Sequence, residues 1–265
     1  TRVYMLDRNG NDTEKYPLQL KSIATTGISI FDYDKTKNYR IAIPHEDRTI
    51  SMIDIDGNKI DGWNFKTTDS KVTTPVQHFK VGTKDFLLLG DTLRIYILDR
   101  HGDQRIKPSE LKGKSENNPF YYSQLRNKWF TTTNKGELMS VSLDGTVRRE
   151  KLFDVSNDHY YLYADFSIDG KGNHIFLDKD RLIVANSIGK QEFTYVFKGS
   201  IVDMPTLYRF SAKKRGLGIV DRNDKKVFLF DQNGRQLSAF PQHGITPFTI
   251  TRYANETEFH LLVGH

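Results

Sequence analysis

The chain has 265 residues, with 39 lysine and arginine against 33 aspartate and glutamate, for a formal net charge of +6. Seventeen phenylalanines, 13 tyrosines and two tryptophans argue against disorder, which is poor in aromatics. There is no cysteine, which excludes disulfides, thiolate metal sites and a cysteine nucleophile, and no apolar run nears the roughly 18 residues of a membrane span.

The basic residues are interspersed with acidic ones, so no nucleic-acid stripe is expected. The densest group is Lys213, Lys214 and Arg215, followed by Arg222, Lys225 and Lys226. It reads as solvated hairpin loops. The sequence contains no recognisable signal peptide, and its opening on a strand-like run at Thr1 fits a fragment or a processed form.

One element recurs along the chain. A β-rich run ends in a polar turn with glycine at Val3 to Gly10, Ile50 to Gly57 and Leu93 to Gly102. It returns at Glu137 to Gly145, Leu182 to Gly189 and Val227 to Gly234. The glycines are spaced 47, 45, 43, 44 and 45 residues apart. Asp-Gly and Asn-Gly supply the positive φ of a tight hairpin, so each run predicts a third strand turning into a fourth. An aromatic often follows in the fourth strand, as at Tyr16, Trp63, Phe153, Phe197 and Phe240.

A second strand precedes each third one, as at Tyr39 to Ile43, Asp85 to Leu89, Lys128 to Thr132 and Leu217 to Val220. A first strand, often opened by proline, comes before that, as at Pro75, Pro119, Pro205 and Pro247. Four short strands per unit of about 44 residues is the pattern of a β-propeller. No segment keeps a helical period, which disfavours a parallel sheet with crossover helices.

The ends complete the pattern. The chain opens at a third strand, Arg2 to Leu6, and ends with a first and a second, Pro247 to Tyr253 and Phe259 to Val263. Reading Leu261 onward into Leu6 reproduces the text of Leu87 to Leu98 in nearly continuous register. The expected fold is all-β, a single six-bladed propeller over 1–265. The expected blades are 24–67, 73–112, 117–155, 159–199 and 203–241, with a last blade closed by 245–265 and 1–20.

The run Asp54 to Trp63 resembles the repeat of quinoprotein-like propellers, in which an Asp-rich turn and glycine precede a docking tryptophan. Phe31 to Asp34, Asn38 to Ile41, Thr74 to Phe79 and Tyr96 to Arg100 are similar to the C-terminal propeller of large uncharacterised Bacteroidetes envelope proteins. The resemblance implies an envelope-side module and supplies no activity and no catalytic residue.

Chemistry is sparse. Asp54, Asp56 and Asn58 look like the start of a calcium loop, but the twelfth position, Phe65, is no carboxylate. The eight histidines include no His-x-His or His-x-x-x-His pair. No phosphate loop, nucleophile elbow or Walker motif occurs, no cofactor is expected, and quinone dependence does not fit the blade count.

First strands line a propeller axis, which nominates Asp32, His78, Lys80, Gln124, Asp165, Arg209 and Arg252 as polar channel residues. Tyr121, Tyr122, Tyr160, Tyr161 and Tyr163 form a candidate aromatic docking surface. The expected function is a non-enzymatic binding or scaffolding module, its partner another protein or the rest of its own parent chain. The alternative is a carbohydrate-active or other small-ligand protein using the central channel.

Overall fold

The computed structural model describes residues 1–109, 113–201, 203–252 and 258–264. These residues hold β-strands and turns, with no helix among them. The chain divides into two compact units. The first is Thr1–Asn134 with Leu138–Glu150, and the second is Lys135–Glu137 with Lys151–His265.

In the first unit β1 (Arg2–Val3) pairs with β2 (Leu18–Gln19). A three-stranded sheet follows, made of β3 (Ser29–Phe31), β4 (Arg40–Pro44) and β5 (Ile50–Ile53). Two four-stranded sheets complete the unit. One is β6 (Gln77–Val81), β7 (Lys84–Gly90), β8 (Ile95–Leu98) and β9 (Gln104–Ile106). The other is β10 (Tyr121–Ser123), β11 (Lys128–Thr132), β12 (Leu138–Ser142) and β13 (Val147–Glu150).

The second unit continues with β14 (Tyr160–Ala164), β15 (Asn173–Asp178), β16 (Arg181–Ala185) and β17 (Gln191–Val196). Next come β18 (Thr206–Ser211), β19 (Lys214–Asp221), β20 (Lys226–Asp231) and β21 (Gln242–His243). The last pair is β22 (Thr249–Thr251) and β23 (His260–Leu262). All pairings are antiparallel, and strands are paired in chain order within each sheet.

The second and third strands of each sheet carry the core. In β7, Phe86, Leu87, Leu88 and Leu89 are buried, and both faces of the strand are covered. One face joins Phe31, Ala42 and Met52, and the other joins Phe120, Trp129 and Val141. Apolar residues on both faces therefore stack neighbouring sheets without helices between them.

The turn chemistry repeats as the sequence demands. All six turn glycines have positive φ, between 77° and 87°. In five of the six, an Asp or Asn three residues before the glycine organises the turn; Ser142 stands there before Gly145. Oδ1 of Asp54 accepts the amides of Asp56 and Asn58, and Oδ1 of Asp231 accepts those of Asn233 and Arg235. Asp7, Asp99 and Asn186 do the same. Asp54 is thus a turn residue, its other oxygen taking the Asn58 amide group at 3.1 Å.

The glycines differ in their surroundings. A Cβ at Gly102 would sit 2.8 Å from the backbone nitrogen of Phe65, whereas nothing lies within 4 Å at Gly10. Gly102→Ala is therefore expected to cost about 3 kcal/mol in urea unfolding, and Gly10→Ala only about 1. Equal losses would show that φ alone sets the requirement.

The first sheet stops short of a regular fourth strand. Thr49↔Thr67 and Ile53↔Lys59 form isolated bridges instead. The indole of Trp63 donates to the carbonyl of Ile50 at 3.1 Å, taking an acceptor that a strand amide would otherwise use.

Candidate functional site

The densest polar constellation lies in the first unit, where β6, β7 and the β8–β9 turn meet the β3–β4 turn. His78 on β6 faces Asp85 on β7, with Nε2 and Oδ1 2.7 Å apart. The other Asp85 oxygen accepts from Arg100 Nε at 2.7 Å. Arg100 then grips Asp34 through both terminal nitrogens, at 2.8 and 2.6 Å. That fork matches the two carboxylate oxygens and ties two neighbouring sheets together.

Aromatic rings enclose this chain of charges. The Arg100 guanidinium lies 4.7 Å from the centre of the Tyr33 ring. His78 meets Tyr33 edge-on at 4.9 Å and Phe31 at 5.7 Å. Asp85 is buried, while Arg100 is partly open to solvent. The Arg100 fork holds the Asp34 carboxyl below its ordinary range. Burial pushes the Tyr33 phenol up to about 12.

The channel candidates behave differently from one another. His78 belongs to the network above, and Lys80 donates to the Tyr33 carbonyl at 3.3 Å. Asp32 lies just past β3, where its oxygens accept the amides of Thr36 and Lys37. Gln124 lies just past β10 and is exposed. In the second unit Asp165 accepts the Gly170 amide at 3.1 Å, and Arg209 and Arg252 are exposed. No hydrogen bond or ion pair joins these three among the described residues.

The candidate tyrosine surface is partly open to solvent. Tyr161 is fully buried, and its hydroxyl lies 2.9 Å from His174 Nδ1. Tyr121, Tyr122, Tyr160 and Tyr163 are half-buried. These rings pack against core aromatics such as Trp129 and Phe176, because first strands lie against covered second strands. Large apolar side chains are exposed at hairpin tips instead. Ile55 after β5, Leu125 between β10 and β11, and Ile188 between β16 and β17 are 46%, 65% and 75% exposed.

Two cavities stand out. A polar one of about 260 Å³ lies in the first unit beside Arg100 and Arg40. An apolar one of about 520 Å³ lies in the second unit, among Phe210, Leu229, Leu237, Phe240, Ile250 and Leu261. No cluster of three or more His, Asp or Glu suited to a metal occurs among the described residues.

No family model and no curated protein matches this chain. Solved structures do. The chain is similar to the N-terminal domain of BBS1, crystallised in complex with ARL6 and soaked with mercury. The TM-score is 0.59 at 12% identity, over 91% of this chain and 75% of that one. The same complex soaked with lead gives 0.57 at 12% identity, over 91% and 76%. The fold is a β-propeller. At such identity the likeness speaks for the fold alone. It agrees with the all-β, antiparallel meander of each sheet.

Proposed function

We propose that this propeller is a non-enzymatic binding module that docks another protein through its hairpin tips. The observation that carries the reading is the exposure of Ile55, Leu125 and Ile188 at turns, where no packing requires a large apolar side chain. The one His–Asp pair described above speaks against acid–base chemistry. Asp85 is committed to Arg100 as well as to His78, and aromatic rings wall His78. The BBS1 domain, a propeller crystallised with a protein, offers a parallel for such a role.

The test is a photo-crosslinking residue placed at position 125 or 188 of the full chain. The expected result is a crosslink to a polypeptide that Leu125→Asp or Ile188→Asp abolishes, with unchanged thermal midpoints. Crosslinks that persist in both variants would overturn the reading. The resemblance to quinoprotein-like repeats and to Bacteroidetes envelope proteins supports placing the module on the envelope side.

The reading includes six blades, with the last closed by the terminal strands. Its support is the continuous register of Leu261 to Gly264 with Arg2 to Leu6, together with a packing rule. Phe65, beyond β5, meets Tyr96 on the third strand of the next sheet at 5.4 Å. Tyr195 likewise meets Phe230 at 4.9 Å. By the same rule Phe240, which borders the apolar cavity, fits against a third strand with an outward aromatic. Tyr4 and Leu6, just after β1, are 58% and 56% exposed.

The chain lacks cysteine, so the pair Tyr4→Cys and Val263→Cys tests closure cleanly. An intramolecular disulfide in the monomer is expected on oxidation, seen as faster mobility on a non-reducing gel. Free thiols, or dimers alone, would refute closure in this register.

A further inference from the structure

The polar cavity of the first unit is small. Its 260 Å³ falls below the roughly 300–1,000 Å³ of drug-sized ligand sites, so its occupant has the size of one sugar or a short organic acid. Two arginines line it, and they are not equivalent. Arg100 spends Nε and both terminal nitrogens on Asp85 and Asp34, so two carboxylates neutralise it.

Arg40 uses one nitrogen only. Its Nη1 donates to the side-chain oxygen of Asn38 at 2.5 Å and to the carbonyl of Tyr39 at 3.1 Å. No carboxylate among the described residues pairs with it. Nε and Nη2 remain uncommitted, and two such donors match the two oxygens of a carboxylate.

The remaining wall suits hydroxyl groups. Tyr33 lines the cavity, while its hydroxyl is sealed from solvent. Thr36 and His101 add a hydroxyl and an imidazole, and Asp61 offers an acceptor. A bare inorganic anion would use chiefly Arg40, whereas an acid carrying hydroxyls would use Arg40, Thr36 and Asp61 together.

We propose that this cavity binds a small hydroxylated carboxylate of the sugar-acid class, with its carboxylate on Arg40. Ile55, Leu125 and Ile188 do not line the cavity, so different residues test the two readings and failure of either leaves the other standing.

The experiment is titration of the full chain with glucuronate, glucose and inorganic phosphate, followed by calorimetry or ligand-observed NMR. Glucuronate is expected to bind saturably with a Kd on the order of 1 mM, while glucose does not bind. Arg40→Gln is expected to weaken glucuronate about tenfold or more with an unchanged thermal midpoint, through loss of the charge-assisted pair. Asp61→Asn, a substitution at an exposed position, is expected to weaken glucuronate and leave phosphate unaffected. Three results would overturn the proposal: no saturation by glucuronate, glucuronate binding untouched by Arg40→Gln, or phosphate binding as tightly as glucuronate.

Discussion

Lys114→Met is expected to stabilise the protein near neutral pH, and the gain is expected to shrink as the pH rises toward 10. Lys114 is 4% exposed. Its ammonium donates to the Ser115 carbonyl at 2.7 Å and lies 5.5 Å from the Phe120 ring. Burial in this setting pulls its pKa down to about 7, from 10.5. Below pH 7 the lysine is charged in both folded and unfolded chains, and the full cost of burying that charge opposes folding. Between pH 7 and 10.5 the folded chain releases a proton that the unfolded chain keeps, so stability rises with pH. The slope is about 1.4 kcal/mol per pH unit, or about 3 kcal/mol between pH 7 and 9.5. Methionine fills a similar volume without a charge and removes this slope. Urea unfolding at pH 7.0, 8.0, 9.0 and 9.5 checks the result. A constant difference between wild type and variant would show that the lysine stays charged in the folded protein.

Arg100→Met is expected to lower stability by about 3 kcal/mol, because it strands a buried carboxylate. Asp85 would keep its His78 contact and lose the partner of its other oxygen. The link to Asp34, which joins two sheets, would be lost as well. The stacking of the guanidinium on Tyr33 adds to the effect. Asp34→Asn is the contrasting variant. Asp34 is 56% exposed, and its loss is expected to cost far less than that of Arg100, because solvent screens surface pairs. A double variant, Arg100→Met with Asp85→Asn, is expected to recover part of the loss, since no buried charge is then left unpaired. Thermal midpoints of the four proteins decide the matter. Equal losses from Arg100→Met and Asp34→Asn would place the energy in the exposed pair.

Much of the fold was legible because its signals are local. A glycine at positive φ and, in five of six cases, an Asp or Asn three residues before it make a turn through contacts within five residues. The six turns and the strands flanking them could therefore be read from the spacing. The first sheet departs from that pattern because Trp63 reaches back to Ile50 with its indole, a choice that no local rule makes. Of the tyrosines on the first strands, Tyr161 is buried and Tyr121, Tyr122, Tyr160 and Tyr163 are half-buried. Alternation predicts two faces, but neighbouring sheets cover both.

The candidate site was legible only at one residue. His78 drew notice as a histidine on a first strand. Its partners Asp85, Arg100 and Asp34 lie on another strand and in two turns, with no spacing to mark them. Arg40 gave no signal either. It is one of many basic residues, and it matters because the others nearby are neutralised.

The sequence by itself determined the repeat, the turn chemistry and the all-β class, since each follows from backbone conformation and hydrogen bonds over a few residues. Only the tertiary structure decided which charges are buried, which arginine is left without a carboxylate and which apolar side chains stay exposed. Those properties depend on the neighbours that strand pairing and sheet stacking bring from far along the chain, and desolvation makes each neighbour count.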